Sequence, residues 1–286
     1  MGYLAIAIPS ISMYISSLFA GVYPGVEVLS IPTVITILGF GAPLPLQIAM
    51  GIYVIRRGLD PDIYLYPWSS NVSDIIISVL IVTASILSTG FGVIHVVGLL
   101  GLYTLIVMAL LLRSSRDELF KSMRESLVAI LGAALLTFIG GIYLSTIHEY
   151  LALHPSIYII IPPLLSLLGS YVSTLGSIYT TMLRKYGDMG LSTFKDLASK
   201  LMVSSAIVSA MVSAPSYIAS MDPMMLIISL IGYTSAALLL SPVAYIIAKT
   251  SLIRGWDPDN LVIPLSTSLS DLVLTLLLGF IIAALL

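Results

Sequence analysis

Asp74 and Asp271 are the two acids that fall inside long apolar stretches of this chain, and each is framed by hydroxyls one helical turn away on either side: Ser70 and Ser78 around the first, Thr267 and Thr275 around the second. Spacing of four residues puts each acid and its hydroxyls on one face of a helix. A carboxylate among hydroxyls in apolar surroundings can help hold a hard cation, relay a proton, or share a proton with a second carboxylate in a protease. An ionised Asp at the centre of a bilayer costs about 2.5 to 3.5 kcal/mol even on the lenient insertion scale, so something must offset that cost twice. Helix-to-helix hydrogen bonding with a protonated Asp is the plainer reading. Packing alone does not require the same acid in both stretches, which favours a cation path.

The setting of these acids is lipid. With 58% hydrophobic and 9% charged residues in a chain of 286, and a mean hydropathy of +1.09, the apolar surface exceeds what one water-soluble core could hide. Long uncharged runs separated by short polar breaks predict an all-α polytopic membrane protein rather than an outer-membrane barrel. About nine transmembrane helices are predicted, over residues 3–20, 30–54, 72–91, 94–112, 127–147, 155–183, 201–219, 224–249 and 264–286. Pro43, Pro45 and Pro242 predict kinked or broken helices within the second and eighth. All twelve Lys and Arg then fall on one side, which the positive-inside rule makes the cytoplasm, with the N-terminus there and the C-terminus outside, as expected of a multi-pass protein of the cell membrane. Cysteine is absent, which excludes disulfides and thiolate sites. His95, His148 and His154 fall at or near helix ends on the outer side, where interfacial packing suffices to explain them.

The stretch carrying Asp271 occurs twice. At an offset of 197 residues, "RRGLDPDIYLYPWSSNVSD" lies on "IRGWDPDNLVIPLSTSLSD", matching Arg, Gly, Asp, Pro and Ser at fixed positions. Apolar composition does not create such a match, so it reads as an internal duplication. Because six helices separate equivalent elements, the copies point the same way and are related by an axis along the membrane normal. The expected organisation is a first, incomplete repeat over 1–92, a linker helix and cytoplasmic loop over 93–125, and a complete five-helix repeat over 126–286. The first repeat lacks its first two helices, which leaves a homodimer or residues upstream of Met1 to supply them. Asp60, Asp62, Asp257 and Asp259 are expected in the loops before the repeated helices. There they start turns, favour the following helix N-terminus, or sit solvated at the cytoplasmic mouth and concentrate cations. If the last helix starts at Pro264, Asp271 lies roughly 10 Å along it.

Gly-x-Asp-Pro-Asp, then Pro264, then "STSLSD" entering the last helix resembles the membrane domain of MgtE-type magnesium channels, and the duplicated form resembles the related solute-carrier magnesium transporters. "PPLLSLLGSYVSTLGSIYTTMLRK", residues 162–185, is similar to that family's second helix, with Gly169-Ser170 where the family usually has Gly-Asn. The resemblance implies a pore where second and fifth helices of two units meet, at the pseudo-twofold interface of the repeats. It also implies that Asp74 and Asp271 help hold a hydrated Mg2+ ion, with Ser70, Thr267, Gly169 and Ser170 beside them. Mg2+ keeps most of its waters and needs only one or two carboxylates, whereas Ca2+ takes six to eight oxygens. The expectation is a transporter of divalent cations, with the metal ion as substrate and the bilayer as its setting. No enzymatic activity, cofactor or nucleic-acid partner is expected. A proton- or sodium-coupled carrier of another cation is the main alternative. An intramembrane aspartyl protease is a weaker one, since the acids follow "SNVS" and "STSLS" rather than that family's motifs.

Overall fold

The computed structural model of the chain describes residues 43–88, 116–147, 155–187 and 191–285, with a few single positions elsewhere. The first expected helix and all three histidines lie outside the described residues, as does most of the linker helix expected over 94–112. Every extended element that is described is an α-helix: α1 Pro43–Arg56, α2 Pro61–Ser88, α3 Arg116–Thr146, α4 Pro155–Tyr186, α5 Leu191–Ser220, α6 Met224–Ile253 and α7 Pro258–Leu285. Six of these seven, all but α1, are long and apolar enough to cross a membrane. A helix closes its backbone hydrogen bonds within itself, which is why such segments can be stable in hydrocarbon.

Several helices start earlier than the sequence pattern suggests. The last begins at Pro258 rather than Pro264, and its counterpart at Pro61 rather than residue 72, so Pro264 and Pro67 are interior prolines. Asp62 and Asp259 therefore occupy first helical turns, not loops. Both prolines at the observed starts sit where a missing N–H costs nothing and φ is already set for a helix. α5 likewise begins at Leu191, so most of the basic stretch 184–200 is helical, and α3 takes in Arg116 to Glu125. α6 continues unbroken through Pro242.

The turns that precede α2 and α7 share one geometry. The N–H groups of Arg57, Gly58 and Leu59 donate to the carbonyls of Tyr53, Ile55 and Val54, and those of Arg254, Gly255 and Trp256 to Thr250, Leu252 and Ser251. Gly58 and Gly255 have φ of 65° and 66°, the left-handed cap in which a glycine closes a helix without a Cβ clash. Asp-Pro follows each glycine after one residue and opens the next helix.

The chain divides into two compact units, residues 1–61 with 68–127, and residues 62–67 with 128–286. In the first, the Gln47 amide donates to Ser73 Oγ at 3.0 Å, joining α1 to α2. In the second, α4 is central and packs against α5, α6 and α7. Its core joins Leu164, Leu168 and Leu175 of α4 to Tyr233 and Leu240 of α6 and to Leu274 and Leu278 of α7. α3 lies on α7, where Gly279 faces the Tyr143 ring so closely that no Cβ would fit. The outward faces of α5 and α6 expose Ile207, Met211, Leu238, Leu239 and Ile246, while serines and threonines of α4 are buried inside. Polar groups within and apolar side chains without is the distribution that lipid, not water, stabilises.

Candidate cation site

α4 and α7 approach each other through glycines. A Cβ at Gly169 would stand 3.6 Å from Thr267 Cγ2, and one at Gly176 would overlap Val262 Cγ1. These two contacts run in opposite senses along the helices, so α4 and α7 are antiparallel and their backbones are close over at least two turns. Of the expected site residues, Gly169, Ser170, Thr267 and Asp271 are thus brought into one unit and one helix pair. Thr267 Oγ1 donates to the carbonyls of Ile263 and Pro264, at 3.0 and 3.1 Å, which leaves its lone pairs as acceptors. Asp271, half-buried, sits one turn further along the same face of α7. Counting from Pro258, it is roughly 20 Å into the helix, deeper than a start at Pro264 implies.

One face of α4 carries more hydroxyls than the sequence reading singled out. Ser170, Ser173, Thr174, Ser177 and Thr181 fall within about 100° of arc at 100° per residue, over roughly 16 Å of helix. The first four are at least nine-tenths buried. Ser170, Ser173 and Thr174, with Ser266 of α7, have no hydrogen-bond partner among the described residues. Neighbouring hydroxyls behave as helix hydroxyls usually do: Thr180 Oγ1 bonds the Gly176 carbonyl at 3.0 Å and Ser270 Oγ the Ser266 carbonyl at 2.7 Å. A buried hydroxyl left unbonded costs about 1 to 3 kcal/mol, so four in one unit need a physical reason. Their spacing in "SYVSTLGSIYTT" was a readable signal.

The expected mouth acids separate into distinct environments. Asp62 is half-buried and takes a hydrogen bond from Ser177 Oγ at 2.8 Å on Oδ1 and from Thr181 Oγ1 at 2.6 Å on Oδ2. It is therefore bound to α4 rather than solvated in a loop. Asp257 pairs with Arg184 Nη2 at 3.1 Å, both side chains being 51% exposed. Asp60 is exposed, and Asp259 is described for its backbone alone. In the first unit Asp74 is exposed and Ser70 half-buried on α2, and Ser78 Oγ donates at 2.7 Å to the backbone carbonyl of Asp74, not to its carboxylate. Among the described residues no three His, Cys, Asp or Glu side chains gather as a metal cage.

A bundle with apolar outer faces, a central helix carrying a buried hydroxyl face and a half-buried aspartate on its neighbour defines a helical membrane protein with polar groups inside an otherwise apolar core. Residues 161–281, from early in α4 almost to the end of α7, match the model of the MgtE family, described as a divalent cation transporter. The resemblance read from the last-helix motif and the second helix is thus met over the segment that holds α4 to α7. No curated protein and no solved structure matches the chain.

Proposed function

We propose that the chain carries Mg2+ across a membrane along the hydroxyl face of α4 in the second unit, with Asp271 as the acid that holds the hydrated ion. The observation that carries this reading is the set of buried hydroxyls of Ser170, Ser173, Thr174 and Ser266, which have no hydrogen-bond partner among the described residues. Water molecules of a hydrated cation are polarised donors, and free hydroxyl lone pairs are the acceptors they need.

The repeated turn before α2 supports a second, equivalent carboxylate at Asp74, with Ser70 beside it as Thr267 is beside Asp271. The basic residues at the end of α4 and the start of α5, Arg184, Lys185, Lys195 and Lys200, support placing that end of the second unit in the cytoplasm. The deciding experiment is influx of Mg2+ into proteoliposomes, read by an internal dye, with membrane potential and proton and sodium gradients varied separately. Flux that follows the Mg2+ electrochemical gradient alone is expected. Dependence on an imposed proton or sodium gradient would replace this reading with a coupled carrier, and Mg2+-tight vesicles would remove it.

A further inference from the structure

The hydroxyl face of α4 ends on a carboxylate from a distant part of the chain. Moving along α4 from Ser170 toward its C-terminus, the face passes Ser173 and Thr174 and reaches Ser177 and Thr181, whose hydroxyls bind the two oxygens of Asp62. Because α7 is antiparallel, Asp271 lies beyond the other end of this face, one turn past the Thr267 that meets Gly169. Asp62 thus stands at one end of the hydroxyl face, and Asp271 on α7 lies about one turn beyond the level of its other end.

The chemistry at Asp62 is unlike that of a simple helix cap. Its carboxylate receives two charge-assisted bonds from one turn of another helix, and half of the arrangement opens outward, since Thr181 is exposed and Asp62 half-buried. Arg184 follows three residues after Thr181 on the same face of α4, where an uncompensated guanidinium would repel a cation. Its pairing with Asp257 removes that charge. An ion pair this exposed adds little stability, about 0 to 1 kcal/mol, so its main consequence is electrostatic.

Resting on the transport reading above, we infer that Asp62 is a second cation-docking carboxylate at the end of the path, held in reserve by Ser177 and Thr181. A hydrated divalent cation and the two hydroxyls compete for the same oxygens. When the ion arrives, the hydroxyls turn their protons away and offer lone pairs to its water shell; when it leaves, they close on Asp62 again. No covalent bond changes.

Competition gives variants on the two sides of the contact opposite signs. Asp62→Asn removes the docking charge and should raise the Mg2+ concentration for half-maximal influx about tenfold, the scale of one charge-assisted contact. Ser177→Ala with Thr181→Val takes both hydroxyl donors from the carboxylate and should lower that concentration several-fold. If Asp62 merely ties helices together, both variants lose the same contact and shift activity the same way; that result, or no shift in either, overturns the inference. Thr181→Val alone, at an exposed position, serves if a larger change prevents folding. Should wild-type vesicles prove Mg2+-tight, the transport reading fails separately, and Mn2+ binding to detergent-solubilised protein, followed by the spin resonance of free Mn2+, still judges the site. Asp62→Asn must then weaken binding that the hydroxyl variant retains or tightens, and equal binding by Asp62→Asn and wild type overturns the assignment.

Discussion

Asp62 Oδ2 lies 2.6 Å from Thr181 Oγ1, a contact between residues 119 positions apart that joins the first turn of one membrane helix to the hydroxyl face of another. It ties an acid expected in a loop to the hydroxyl face of α4. The neighbouring pair, Arg184 and Asp257, then reads as charge compensation at the same end of α4.

Asp271→Asn is expected to cut Mg2+ influx by at least tenfold at low Mg2+, because it removes the formal charge that replaces water around the ion where the dielectric is low. Asp74→Asn should act in the same direction. Uptake by a transport-deficient strain, corrected for the amount of folded protein, checks both, and full activity of the double variant would refute a transport role for these acids.

Ser170→Ala and Ser173→Ala should separate stability from transport. Each deletes a buried hydroxyl that has no bonding partner among the described residues, so thermal stability in detergent should stay level or rise by up to about 1 kcal/mol. Influx should nevertheless fall. A loss of stability matching the loss of flux would indicate that these hydroxyls hold the helices rather than the ion's water shell.

Gly176→Ala places a Cβ against Val262 and should destabilise the protein by about 1 to 3 kcal/mol through overpacking of the α4–α7 crossing. Val262→Ala in the same chain removes the obstructing methyls and should restore part of that loss. Melting temperatures of the two single variants and the double give the coupling directly, and additive losses would mean the helices part rather than clash.

Asp257→Asn leaves the Arg184 guanidinium uncompensated at the end of the hydroxyl face. Influx should fall several-fold at low ionic strength and recover as salt rises, since exposed charges are screened over about 8 to 10 Å near physiological salt. Arg184→Gln in the same chain should restore influx at low salt. A deficit unaffected by salt would point to packing instead.

Local chemistry made much of this protein legible from its residues alone. Apolar runs of spanning length, with too little charge for a water-soluble core, determined a helical membrane protein, because backbone hydrogen bonds must close within each segment in lipid. Gly-x-Asp-Pro determined the turns before α2 and α7, since glycine's left-handed cap and proline's fixed φ act within a few residues. The spacing of Ser170, Ser173, Thr174, Ser177 and Thr181 likewise fixed their common face, whatever that face meets. Where the last helix begins was not decided locally, because Pro258 and Pro264 each suit a first turn. The longer helix places Leu261 in the buried interior and Val262 against Gly176, and that packing lies between segments remote in sequence. The meeting of Asp62 with Ser177 and Thr181 is of the same kind. No periodicity in either segment encodes its partner, so only the tertiary arrangement of the second unit could bring that carboxylate to the end of the hydroxyl face.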